Sequence, residues 1–203
     1  MVGPKTLRTF IAVPLSPEVE RGLDGVQRQL KRAVPEHCVR WVNPAGIHLT
    51  LHFLGDILPE RVDPVKAALT VVGRNIPPFQ FHAGELGAFP NLSRPRVVWV
   101  GVQDPSSWLA LLHEAINEAM EGIGFQPEQR RFSPHLTLGR VQRSADRGDA
   151  RTLGEMIAHT KIGTLGIVPV RDVIFFQSVL KRTGAEYTPL GTFRLKAAPP
   201  SQP

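Results

Sequence analysis

Cysteine is almost missing from this 203-residue chain, where Cys38 stands alone. A lone thiol has no partner for an intramolecular disulfide and excludes any Cys-rich metal site; it fits a reducing compartment. Long apolar runs are missing too. No stretch approaches the ~20 residues that a membrane span requires, so no membrane partner is expected. Arg8 interrupts the opening before the short run Phe10-Ile11-Ala12-Val13. No signal-peptide core is therefore expected there, and a cytoplasmic location is the default. The chain has no Gly-x-Ser-x-Gly elbow, no Walker loop and no Gly-x-Gly-x-x-Gly fingerprint, which removes the usual α/β-hydrolase, ATPase and dinucleotide readings. Acidic residues are in deficit: 18 Asp and Glu against 24 Lys and Arg leave a formal charge of +6. That excess suits an anionic partner such as nucleic acid or a nucleotide, and equally a surface that arginine keeps soluble. Nothing in the sequence calls for an obligate protein partner.

What is present is a tetrapeptide that occurs twice, as His48-Leu49-Thr50-Leu51 and His135-Leu136-Thr137-Leu138. Two chance copies of His-x-Thr-Leu are expected in fewer than about one such chain in a thousand. Polar His and Thr alternating with Leu is the period-two pattern of a half-buried strand. Each copy places an imidazole and a hydroxyl on one strand face, with leucines packed behind.

The remaining periodicities predict alternating strands and helices. Strands are expected at 7–15, 39–42, 47–54, 79–87, 96–102, 163–168, 173–179 and 187–194, besides the second motif strand. Helices are expected at 17–33, capped by Ser16, and at 59–74, 105–121 and 150–159. The third should bury a face of Trp108, Leu111, Leu112, Ala115, Ile116 and Ala119. Many strand links are of hairpin length, which argues for α+β with antiparallel sheets. The motifs lie nearly half the chain apart. One bilobed domain over residues 1–198 is expected, with an internal duplication, one motif per lobe, a central cleft and helices packed outside. Residues 199–203 read as a flexible tail.

A buried polar pair is costly unless satisfied, and a fold has little structural reason to install the same one twice. His48 and His135 are therefore the candidate acid–base pair, since an imidazole near neutrality can give or take a proton. Thr50 and Thr137, two residues on, can donate to phosphate oxygens. Phe53 and Arg140 hold equivalent places, each five residues after its histidine. Strict alternation puts both on the opposite face; a bulge near Gly139 would turn Arg140 inward to meet a phosphate, and Phe53 would offer a base a platform. His52 is expected on the His48 face, where three histidines would make a metal site. No carboxylate pattern repeats beside it, so no metal and no cofactor are expected. His37, His82, His113 and His159 carry no pattern.

These residues resemble the 2H phosphoesterase superfamily, and within it the RNA 2′,3′-cyclic phosphodiesterases, also described as 2′-5′ RNA ligases. The likeness extends beyond the paired motifs to Leu7–Val13, Arg40-Trp41-Val42-Asn43-Pro44, Gly87-Ala88-Phe89-Pro90, Phe132-Ser133-Pro134 and Gly184-Ala185-Glu186-Tyr187. It implies a bilobed α+β fold with two pseudo-symmetric antiparallel sheets facing a cleft. It also implies metal-independent hydrolysis of a 2′,3′-cyclic phosphate, on an RNA end or a small cyclic nucleotide, to a 2′-phosphomonoester. Carried onto this chain, His48 would protonate the leaving 3′ oxygen and His135 would accept a proton from water. Thr50, Thr137 and Arg140 would hold the phosphate. Two alternatives remain: a reversible 2′-5′ RNA ligase using the same site, and a non-catalytic nucleotide- or RNA-binding module.

Overall fold

The computed structural model describes residues 6–128, 131–181 and 184–196; the tail expected at 199–203 lies outside them. Strand β1 (Leu7–Val13) runs into helix α1 (Pro17–Lys31), whose first turn is closed by Ser16 Oγ accepting the Val19 N–H at 3.5 Å. Strands β2 (Val39–Trp41) and β3 (Leu49–Ile57) follow, then a 3₁₀ turn at Pro59–Arg61 and α2 (Val62–Asn75). The hairpin β4 (Phe79–Phe89) and β5 (Val97–Gln103) leads to α3 (Trp108–Gly122) and the second motif strand β6 (His135–Val141). Helix α4 (Arg147–His159) and strands β7 (Gly166–Val170), β8 (Asp172–Lys181) and β9 (Gly184–Arg194) complete the order.

The strands form two sheets, ordered β3-β1-β8-β9 and β2-β6-β5-β4-β7, and every pairing is antiparallel. This is the α+β architecture expected from the hairpin-length links. Each sheet holds one motif strand, β3 at the edge of the first and β6 inside the second. Ile11, Val13, Leu49 and Leu51 of one sheet share a single buried cluster with Val98, Val100, Leu136 and Leu138 of the other. Full burial stabilises by about 1.5–3 kcal/mol per large aliphatic side chain, so the leucines of both motifs anchor their strands. Among the described residues no helix is long and apolar enough to cross a membrane.

Helix α3 differs from expectation. The Asp104 carboxylate collects the Ser106 and Leu109 N–H groups at 2.9 and 2.7 Å, holding a turn where the helix was expected to begin. The buried stripe is Leu109, Leu112, Ile116 and Met120, and Leu111 is 46% exposed. One residue is about 100° of helix rotation, enough to carry an apolar side chain off the stripe.

One exchange of strands positions the site. β2 precedes the first motif, yet it pairs with the second, Arg40 opposite Arg140 and Trp41 opposite Gly139. The Val42 N–H extends that pairing to the Leu138 carbonyl at 2.9 Å. The chain then crosses to the other sheet through a short turn, Pro44–Gly46, capped by the Asn43 side chain accepting the Ala45 N–H at 3.2 Å. The six steps along the chain from Val42 to His48 reach no farther than about 20 Å even fully extended. A short covalent tether therefore keeps the two motifs together.

Candidate active site

Both motif strands carry a bulge at the same place. On β3, Thr50 faces Ala12 and His52 faces Ile11, leaving Leu51 without a partner. On β6, Thr137 faces Trp99 and Gly139 faces Val98, leaving Leu138 as the extra residue. An inserted residue reverses the phase of side-chain alternation beyond it. Phe53 and Arg140 thus return to the face of the histidine and threonine that precede them. Phe53 stands beside Phe10 with ring centroids 6.2 Å apart and is 61% exposed.

The same bulge overturns the expectation for His52. It is buried on the opposite face, where Nδ1 lies 2.6 Å from Asn117 Oδ1 on α3. His52 therefore does not converge with His48 and His135 on a metal site. Asn117 Nδ2 also reaches the His113 ring at 3.3 Å, and that ring stacks on Phe132 at 3.8 Å. His113 thus belongs to a half-buried polar network with Asn117 and His52, and His37 meets Asp149 at 3.1 Å. The sequence pattern marks neither.

The two motif histidines are held alike. His48 Nδ1 donates to the Gly46 carbonyl at 2.9 Å, and His135 Nδ1 donates to the Ser133 carbonyl at 2.7 Å. A carbonyl can only accept, so each neutral ring carries its proton on Nδ1 and leaves the Nε2 lone pair free. Burial lowers the pKa of both rings and the carbonyl bonds partly offset it; the Arg140 cation lowers His135 further. His48 is packed by aromatics, stacked on Phe10 at 4.6 Å and meeting the Tyr187 edge at 5.0 Å. His135 meets Phe89 edge-on at 4.9 Å, and Phe89 in turn packs on Trp99 at 5.1 Å.

Tyr187 and Arg140 join the two halves. Tyr187, from β9, touches His48, and the Arg140 charge acts on both Tyr187 and His135. Burial pushes the Tyr187 hydroxyl up, and the cation offsets part of that. Thr50 and Thr137 lie half-buried on the same faces as their histidines. Among the described residues this leaves two imidazoles with Nε2 unengaged, two hydroxyls and one guanidinium, linked through Tyr187 and Arg140, a set suited to an anionic ester. Sequence reasoning quoted Tyr187 without giving it a place. It is the chain's only tyrosine, and that rarity was the available signal. Phe10 reads in sequence as an ordinary strand apolar residue, and Phe89 falls just past the strand expected at 79–87, whereas the structure carries that strand on to Phe89.

A protein-family model, described as LigT-like phosphoesterase, matches residues 13–99 and again 100–185, and each stretch contains one motif. An RNA 2′,3′-cyclic phosphodiesterase of Methanothermobacter thermautotrophicus is 32% identical over 93% of this chain and 99% of its own length. The enzyme of the same name from Aquifex aeolicus is 28% identical over 94% and 98%. In structure, TT0787 of Thermus thermophilus superposes with a TM-score of 0.76 at 27% identity, covering 93% of this chain and 98% of that one. The fold is also that of Escherichia coli LigT, crystallised with 3′-AMP, at a TM-score of 0.73 and 23% identity over 95% and 100%. With its motif strands, one to each antiparallel sheet, and both matched stretches in place, the chain belongs to the LigT-like phosphoesterases of the 2H phosphoesterase superfamily.

Proposed function

We propose that the chain hydrolyses the 2′,3′-cyclic phosphate at an RNA 3′ end to a 2′-phosphomonoester by acid–base catalysis between His48 and His135. The observation that carries this reading is the matched tethering of the two rings. Each Nδ1–H is held by the carbonyl two residues upstream. Both Nε2 atoms are thereby left for proton transfer at fixed orientation.

Burial is the largest influence on both rings, and Arg140 adds a smaller push on His135 alone. That cation disfavours protonated His135, which suits His135 to take the proton from the attacking water. His48 would then give its Nε2 proton to the leaving 3′ oxygen. Thr50 and Thr137 donate to the non-bridging oxygens, and Arg140 offsets the charge that gathers on them. Water adds to phosphorus, the bond from phosphorus to O3′ breaks, and the rings exchange roles as proton holders. Phe53 offers its exposed face to the terminal base.

The homologues' names support the substrate class, and the +6 charge suits an RNA end. The test is an oligoribonucleotide ending in a 2′,3′-cyclic phosphate, incubated with the protein in EDTA. A 2′-phosphate product is expected, and none from His48→Ala or His135→Ala. Near-normal turnover by either variant refutes the two-histidine mechanism.

A further inference from the structure

A cavity of about 500 Å³ opens along β3, the edge strand of its sheet. Its walls are Phe53 on one part and Arg61, Phe125 and Gln126 on another, with Asp56 and Leu58 completing it. The volume lies within the range of about 300–1,000 Å³ typical of small-ligand sites. Apart from Phe53, none of these residues takes part in the chemistry set out above.

Phe53 links the cavity to the reacting centre. Its ring is 6.2 Å from Phe10, which stacks on His48 at 4.6 Å. A ligand that fills the cavity is thus two ring contacts from an imidazole of the cleft. The other wall is built around a second aromatic. The Arg61 guanidinium lies over the Phe125 ring at 4.7 Å and donates to the Ile123 carbonyl. The guanidinium carries five N–H donors, and one of them is engaged by that carbonyl.

The chemistry of the walls selects the ligand. The stacked Arg61–Phe125 pair offers a flat surface to a planar ring, next to the Phe53 ring that carries the terminal base. The Gln126 amide and the Asp56 carboxylate can read the donors and acceptors of a base edge. One carboxylate and one guanidinium balance each other, so the cavity suits a neutral base better than a phosphate. A nucleotide carrying a 2′,3′-cyclic phosphate has both ribose hydroxyls occupied, and RNA can continue from it only at its 5′ oxygen.

We propose that this cavity receives the base of the nucleotide preceding the cyclic-phosphate terminus, an inference that rests on the function proposed above. The site then reads the last two nucleotides of an RNA and distinguishes an RNA end from a free cyclic nucleotide.

The test compares kcat/KM for uridine 2′,3′-cyclic phosphate with that for an adenylyl-uridine dinucleotide ending in the same cyclic phosphate. Wild type, Phe125→Ala and Arg61→Gln are measured with both. Wild type is expected to favour the dinucleotide by about tenfold or more. Each variant should lose most of that preference and keep the wild-type value on the mononucleotide, which also reports an intact fold. Equal wild-type values on the two substrates overturn the inference. So does an equal loss on both substrates in either variant, since the cavity would then serve the terminal nucleotide or the fold. Failure of wild type on both substrates refutes the parent reading, and this inference with it.

Discussion

Gln27 sits at full burial on the apolar stripe of α1, among Val19, Leu23, Val26 and Leu30. Its Nε2 donates to the Val42 carbonyl at 2.7 Å and to the Leu138 carbonyl at 2.9 Å. It therefore braces the point where β2 leaves the second motif, at the bulge that turns Arg140 to the cleft. Gln27→Met keeps the volume and removes both donors. The Leu138 carbonyl retains the Val42 N–H at 2.9 Å, so the full cost of an orphaned acceptor falls on Val42. Two hydrogen bonds to carbonyls lost, with one half-buried acceptor left short of its partner, amount to about 2–4 kcal/mol. At about 2–4 °C per kcal/mol for a chain of this size, the melting temperature should fall by roughly 5–15 °C. Reversible thermal unfolding followed by circular dichroism measures this. kcat/KM at a permissive temperature should fall as well, because Arg140 loses its support. A melting temperature within ~2 °C of wild type, with unchanged turnover, would refute the reasoning and show that these carbonyls find other partners.

Arg140→Met should lower kcat/KM by about 10²–10³-fold through lost charge stabilisation. It should also raise the His135 pKa, moving the acid limb of the pH–rate profile to higher pH. An unmoved limb would assign the base elsewhere. Burial lowers the pKa of His48, His113 and His135 from the ordinary histidine value of 6.5. Below that pH the unfolded chain binds more protons than the folded one, so stability is full above about pH 6.5 and is lost as pH falls. The melting temperature should fall as pH drops below about 6.5, and His48→Phe should flatten that slope; parallel curves would contradict it. Gly87→Ala would place a Cβ 2.3 Å from the Trp99 ring. Relieving that overlap costs about 1–3 kcal/mol and pushes on the Trp99–Phe89–His135 packing, so turnover should fall. Gly25→Ala, with nothing within 4 Å, serves as the control, and equal behaviour of the two would sink the packing argument.

The paired motifs, the strand-and-helix order and the antiparallel class could all be read in advance, because periodicity and capping are local. Ser16 capped its helix as expected, and the two strands with strict His-x-Thr alternation formed where the pattern placed them. Leu111 shows the limit of that reading. An apolar residue at the margin of a helical stripe is covered or exposed according to what packs there, and the sequence does not contain that neighbour. Gln27 shows another. A polar residue on a buried stripe is a visible anomaly, but its two carbonyl partners come from β2 and β6, far away in the chain.

The sequence alone determined which groups are available: two imidazoles, two hydroxyls and a guanidinium, at matched spacing on strands. It could do so because side-chain type and alternation are properties of neighbouring residues. Only the tertiary structure decided which of them face one another. A bulge exists only relative to the strand it pairs with. The bulges at Leu51 and Leu138 sent Phe53 and Arg140 to the faces of their motif histidines and His52 to the opposite face. The exchange of β2 into the second sheet tied the motifs together, and the Arg140 charge acts on His135 and not on His48. Each of these depends on distance through space, which spacing along the chain does not encode.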